Sequence, residues 1–362
     1  MRQTGIAQLP LHSGKAPAWL FQRMVRLGRE ITRLIVENDG PEAFVQRLAD
    51  PFWLQSLGCV LGFDWHSSGV TTTVCGALKE GLKGREKELG LIIAGGKGAT
   101  SRKTPQEIVT AGEKYPLDCS PDALVYLSRL TAKVDNNAIQ DGFQLYHHSF
   151  FFTFSGSWAV IQQGMNDRFA RRYHWLSETV QSMTMDPHSA ICSNLQKERA
   201  LNLVARTSQK AQSMITDLSH ERPEKLIGEI HRLQTLSLPA HHQVSVSDIH
   251  PKSIEKILLK TYERKAKDFE ELLSMPGVGA KTLRALTLIG EIAYGTPACW
   301  KDPAKFSFAH GGKDGHPYPV NRKLYDESVQ FLRRTLERAR IDRSDKENAL
   351  KRLQKLFASE NY

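Results

Sequence analysis

Three strings in the first half of the 362-residue chain are denser in reactive side chains than a folding core requires. They are Asp64-Trp65-His66-Ser67-Ser68-Gly69, Asp135-Asn136-Asn137 continuing through Gln140-Asp141-Gly142-Phe143-Gln144-Leu145-Tyr146-His147-His148, and Gln162-Gln163-Gly164-Met165-Asn166 leading into Arg171-Arg172-Tyr173-His174-Trp175. Carboxylate and imidazole together ligate divalent metals or work as acid and base. That chemistry makes Asp64, His66, Asp141, His147, His148 and His174 the candidate catalytic or metal-binding residues of this half. Their spacing matches no metal signature such as H-E-x-x-H, so a divalent cofactor is an open expectation, and a satisfied core or surface role for each histidine stands beside it. A glycine-rich stretch, Gly95-Gly96-Lys97-Gly98-Ala99-Thr100-Ser101-Arg102, follows apolar Leu91-Ile92-Ile93. Backbone N–H groups in such a loop can wrap a phosphate, with Gly96, Lys97 and Arg102 as the candidates, although the spacing is not that of a nucleotide-hydrolysing loop.

In the second half, chemistry concentrates in Leu273-Ser274-Met275-Pro276-Gly277-Val278-Gly279-Ala280-Lys281-Thr282. Phe269, Leu272 and Leu273 before it, and Leu283, Leu286, Leu288 and Ile289 after it, predict two helices around a tight turn. Pro276 stops the first, Gly277 and Gly279 offer backbone angles closed to other residues, and the second helix starts with unpaired N–H groups. Such a start attracts a phosphate whatever the base, so Gly277, Val278, Gly279, Lys281, Thr282 and Arg284 are expected to contact DNA backbone. The turn resembles the helix-hairpin-helix motif, hydrophobic-Pro-Gly-hydrophobic-Gly, at every position. From Pro276 to Asp302 the chain is similar to DNA glycosylases of the endonuclease III type. That resemblance implies a DNA repair enzyme in which Lys281 attacks the sugar C1′ and Asp302 is the following acid. Tyr318-Pro319-Val320-Asn321 resembles the Pro-Val-Asp of the 8-oxoguanine branch, with Asn in place of Asp. Three functions are expected of these residues as alternatives: a glycosylase or abasic-site lyase, a metal-dependent nuclease or hydrolase sited in the first half, and a non-catalytic DNA-binding protein.

These residues need elements to hold them. Apolar positions Leu20, Met24, Leu27, Ile31 and Leu34 predict a helix over 19–37. Short β-branched or aromatic runs predict strands at Val70 to Val74 and Leu89 to Ala94. Another such run, Phe150 to Phe154, turns through Ser155-Gly156-Ser157 into a second strand, Trp158 to Ile161. Pro121 to Leu130 and 168–183 read as helices, 196–235 as polar and helix-prone, and Leu236 to Val246, with His241-His242, as a connection. Beyond it, 251–294 reads as helical, 296–320 as a loop and 322–358 as one or two charged helices. The expected class is α+β: a mixed α+β domain over 1–195, a connecting segment over 196–250 and an all-α domain with the hairpin over 251–362.

The formal charge is +10, and residues 251–362 hold 22 Lys plus Arg against 15 Asp plus Glu, so most of the excess accompanies the hairpin. That favours a polyanion such as DNA. The five cysteines are scattered without a C-x-x-C pair, and no apolar run is long enough to span a membrane, which together predict a cytoplasmic protein. The chain resembles, nearly end to end, the uncharacterised family called domain of unknown function 763. Thr4-Gly5-Ile6-Ala7, Leu9-Pro10-Leu11-His12, Gly14-Lys15-Ala16-Pro17, Asp64-Trp65-His66-Ser67-Ser68-Gly69-Val70, Gln144-Leu145-Tyr146-His147-His148, Gln162-Gln163-Gly164-Met165-Asn166, Ala170-Arg171-Arg172-Tyr173-His174-Trp175 and Ser307-Phe308-Ala309-His310-Gly311-Gly312-Lys313-Asp314-Gly315 carry the likeness. The family implies no reaction.

Overall fold

The computed structural model describes residues 16–63, 68–167, 169–193, 197, 199–235, 249–304 and 322–358. The chain is mixed α and β around an antiparallel sheet. Helices α1 (Ala18–Asp39), α2 (Pro41–Ala49), α3 (Pro51–Leu61), α4 (Gly69–Leu82) and the short α5 (Glu86–Leu89) precede strand β1 (Leu91–Lys97). Helices α6 (Thr104–Lys114) and α7 (Pro121–Lys133) lead through a π-turn, Val134–Ala138, into β2 (Ile139–Gln140), β3 (Gln144–Thr153), β4 (Trp158–Met165), β5 (Ala170–Leu176), β6 (Ala190–Cys192) and β7 (Leu201–Asn202). The remainder is helical: α8 (Gln209–Leu218), α9 (Pro223–Thr235), α10 (Pro251–Arg264), α11 (Phe269–Ser274), α12 (Ala280–Tyr294), α13 (Arg322–Arg338) and α14 (Arg343–Ala358).

Five strands form one sheet in the order β1-β3-β4-β5-β6, every neighbouring pair antiparallel, while β2 pairs with β7 separately. Both faces of the sheet are covered. On one, Phe150, Phe152, Val160, Tyr173 and Trp175 join a cluster with Ile108 of α6, Leu124 of α7, Ile215 of α8 and Leu283 and Leu286 of α12. On the other, Phe151, Ala159 and Ile161 meet Ile31 of α1, Phe44 of α2, Trp53 of α3, Val74 of α4 and Leu332 and Leu353 of α13 and α14. Helices therefore sandwich the sheet, which is why β3 and β4 read as near-continuous buried runs rather than as alternations of polar and apolar residues. Residues on both sides of the 236–248 segment, such as Leu226 and Ile230 before it and Leu258 and Leu283 after it, belong to one and the same cluster.

Two sequence expectations are corrected here. Val70 to Val74 lies in helix α4, not a strand: Val70, Thr71, Val74, Cys75, Ala77, Leu78, Gly81 and Leu82 are buried at helical spacing, and burial of that face outweighs the β preference of the run. Residues 170–176 form β5, not a helix, because the segment is buried on both faces and its side chains divide with period two. The 19–37 helix, the strand after Leu89, the 150–161 hairpin and the helices near 121–130, 251–294 and 322–358 lie where the sequence put them. The segments 236–248 and 305–321, with His241-His242, Phe306, Tyr318 and Asn321, lie outside the described residues. No described helix is long and apolar enough to cross a membrane.

Candidate functional site: a helical hairpin and a polar sheet end

Asp268 caps α11 by accepting the Glu271 N–H at 2.8 Å, and the helix ends at Ser274. The turn closes with the Val278 N–H donating to the Met275 carbonyl at 3.2 Å. Gly277 has φ +92°, a conformation that favours glycine, and a Cβ there would sit 2.4 Å from Ile257 Cδ1, the far end of a side chain that would have to shift. Gly279 differs from expectation: its φ of −133° and ψ of −177° are ordinary extended backbone, and a Cβ would come no nearer than 3.8 Å to anything. Pro276 and Gly277 are exposed at the tip, with Val278 buried beneath. Helix α12 begins with no side-chain cap and no acidic residue in its first turn. Its first N–H groups therefore sit at the positive end of the helix dipole without acceptors inside the helix.

Lys281 is exposed, Thr282 is buried, and Arg284 is half-buried with its Nε donating to Gln140 Oε1 at 2.7 Å. Gln140 Nε2 in turn donates to the Ala280 carbonyl at 2.9 Å, fastening the start of α12 to β2. Beneath the turn, the Lys133 ammonium donates to the carbonyls of Leu273 (2.7 Å), Met275 (2.6 Å) and Val278 (3.3 Å). Burial pulls the Lys133 pKa down to about 8. Sequence inspection missed Lys133, which lies about 140 residues from the carbonyls it holds; its only local sign is a cation at the last position of a helix.

Asp302 is held by its surroundings. Its two oxygens accept from Arg171 Nη1 and Nη2 at 2.9 and 2.7 Å, from the Lys197 N–H at 2.7 Å and from the Ala304 N–H at 2.8 Å. Arg171 also donates to Asp141 Oδ2 at 2.8 Å, an oxygen that takes the Tyr173 hydroxyl at 2.6 Å. The Arg171, Asp141 and Asp302 side chains are essentially inaccessible. Burial opposes the guanidinium charge, but Asp141 and Asp302 outweigh it and hold the Arg171 pKa above its ordinary value. Of the two residues assigned to lyase chemistry, Lys281 faces solvent and Asp302 faces an arginine.

Register divides the first-half candidates between the two faces of the sheet. His148 stands beside Gln162 and Tyr173, whereas His147 stands in a row running Lys97, His147, Gln163, Arg172, Cys192. On the first face, Gln162 Nε2 donates to Asp135 Oδ2 at 2.5 Å, so its Oε1 accepts from His148 Nδ1 at 2.9 Å. His148 Nε2 is then left to accept the Ser128 hydroxyl at 2.9 Å. Asp135 also binds Trp175 Nε1 and His188 Nε2. This network is buried and satisfied, and burial pushes the His148 pKa down to about 4.

The second face is less complete. A bulge between Leu145 and His147 brings the Tyr146 hydroxyl to Gln163 Nε2, which also donates to the Ser68 carbonyl at 3.0 Å. Arg172 Nη2 donates to Gln55 Oε1 at 2.7 Å. His147 Nδ1, Gln163 Oε1 and Thr71 Oγ1 are buried without a hydrogen-bond partner among the described residues. Burial, followed by the charges of His148, Lys97 and Arg172, takes the His147 pKa to about 3. Burial also pulls His174 well below its ordinary value and Arg172 down to about 10. His147 and His174 thus share a face, and His148 and Asp141 lie on the other. The four described candidates are therefore not gathered at one point, and Asp64 and His66 lie outside the described residues. Among the described residues no three His, Cys, Asp or Glu side chains are grouped to hold a metal.

In the glycine-rich stretch, the Gly95 N–H already donates to Glu107 Oε2 at 2.7 Å and its carbonyl accepts from Lys79, while Lys97 and Arg102 are exposed. Where β3 begins and β4 ends, a groove of about 830 Å³ opens, lined by Gly142, Gln144, Tyr146, Met165, Asn166 and Lys197 among others. Residues 5–320 match the family described as Protein of unknown function (DUF763). No curated protein and no solved structure matches the chain.

Proposed function

We propose that this chain, which belongs to the DUF763 family, binds double-stranded DNA through its 269–294 hairpin, gripping backbone phosphates without reading base sequence. The observation that carries the reading is the start of α12: an uncapped helix N-terminus beside an exposed glycine tip, with Lys281 in solvent and no carboxylate in the first turn. Oriented N–H groups and one mobile cation suit a phosphate oxygen and distinguish no base. The basic excess of residues 251–362 adds long-range attraction. Introducing a carboxylate at the open Gly279 position, as Gly279→Asp, should weaken every duplex alike by roughly 1–3 kcal/mol at fixed salt. Unchanged affinity in that variant would overturn the reading.

DNA repair chemistry is the catalytic form of the same proposal. With both Asp302 oxygens engaged by Arg171, Lys197 and Ala304, the supported role narrows to Lys281 as the amine that attacks C1′ of an abasic sugar, a substrate from which no base has to depart. Borohydride should then trap an adduct on abasic duplex that disappears in Lys281→Gln; an adduct of equal yield in the variant, or none in the parent, leaves Lys281 as a phosphate contact.

A further inference from the structure

We infer that the groove at the open end of the sheet receives one unpaired nucleotide of the DNA strand held by the hairpin, an inference that rests on the DNA reading above. Position comes first. Gln140 touches α12 through the Ala280 carbonyl and Arg284, and Gly142, two residues further on, already lines the groove. A chain advances at most about 3.6 Å per residue, so the groove begins within roughly 7 Å of the residue that fastens the phosphate-binding helix. Asn136 Oδ1, accepting the Leu145 N–H at 3.3 Å, ties the π-turn against which α12 packs to the groove wall.

Size and chemistry agree with that position. A volume of about 830 Å³ is within the range of small-ligand sites, roughly 300–1,000 Å³, and exceeds what a single ion needs. The wall offers the flat Tyr146 ring and the Met165 thioether, 45 % exposed and the kind of surface on which a planar heterocycle stacks. Tyr146 is held from behind, its hydroxyl bonded to Gln163, which is pinned to the Ser68 carbonyl. Exposed Gln144 supplies an amide that can meet either donors or acceptors on a base edge, while Asn166 Oδ1 already accepts the Phe169 N–H at 2.8 Å. Lys197 lines the groove, and Lys97 lies 5.8 Å from the Tyr146 ring centroid, so cations stand at hand for a phosphate, while exposed Asp167 keeps that phosphate to the lysine side. An unpaired nucleotide is the natural occupant because it has no pairing or stacking partner to give up.

The test compares, at fixed salt, a fully paired duplex with the same duplex carrying one unpaired thymidine, and adds a titration with thymidine 5′-monophosphate. The parent protein should bind the bulged duplex about tenfold more tightly. Tyr146→Ala should remove the preference while leaving paired-duplex affinity intact, and Tyr146→Phe, which keeps the ring, should retain it. Met165→Glu, at an exposed position that spares the fold, should also remove it. Lys281→Gln should weaken both duplexes equally. Equal affinity for the two duplexes, or a preference that survives both Tyr146→Ala and Met165→Glu, overturns the proposal. Equal affinity with monophosphate binding that Met165→Glu abolishes overturns the strand assignment and gives the groove to a free nucleotide. Should no duplex bind at all, the hairpin reading has failed, and the strand assignment with it; the monophosphate titration still reports separately on the groove.

Discussion

At the scale of single residues, the molecule keeps imidazoles neutral in places where protonation is expensive. His147 and His148, with pKa values taken to about 3 and about 4 chiefly by burial, and His174, pulled well below its ordinary value by burial, stay uncharged in the native state well below the unfolded value of about 6.5. Above pH 6.5 both states hold neutral rings and the groups contribute no pH dependence. As pH falls through 6.5 the unfolded chain takes up protons that the native core refuses, so stability declines. The decline runs down to the folded values near 4 and 3, at about 1.4 kcal/mol per pH unit for each proton not taken up. Urea midpoints should therefore fall between pH 7 and pH 5, and less steeply in His148→Gln; parallel profiles for variant and parent would contradict the assignment. The sequence showed that these histidines were unusual in density, but not that adjacent His147 and His148 serve opposite faces. That division follows from the alternation of any strand, but the sequence showed a strand only from Phe150, whereas β3 begins at Gln144 and takes in both histidines.

At the scale of elements, the segment from α11 through the turn to α12 was legible because it is local: proline, glycine and apolar spacing within about twenty residues specify both helices and the turn. What holds it was not legible. Lys133 ends α7, and its ammonium takes three carbonyls of the turn, a contact made only when two distant segments pack together. Lys133→Met should leave those carbonyls short of donors, reduce stability by roughly 1–3 kcal/mol and weaken duplex binding in the same preparation. Intact stability with normal binding would show that the turn holds its shape unaided. Strand β5 was misread for a related reason: Arg171-Arg172 looks like a helix surface until the buried partners Asp141, Asp302 and Gln55 are in place. The reading of Val70 to Val74 as a strand failed because packing of one helix face overrode local preference.

At the scale of the whole molecule, the sheet and the hairpin are joined by buried contacts. Asp302, after α12, reaches Arg171 on β5, and Gln140 on β2 reaches the start of α12. Asp302→Ala should destabilise the protein by about 3–5 kcal/mol, since it strips a buried guanidinium of one partner, and a stable variant lacking only activity would return Asp302 to a catalytic role. In the proposed reading, tying the turn that would hold phosphate to the sheet end fixes the distance between that contact and the groove, which a flexible connection would not do. Salt dependence of binding to duplexes of unrelated sequence, for the parent and for Lys281→Gln, decides whether the 269–294 segment holds DNA backbone. Phosphate contact without base reading predicts equal affinities across sequences, a linear fall of log affinity with log salt, and a slope shallower by about one in the variant. No duplex binding at low salt, or a parent and variant with the same slope and affinity, would contradict it.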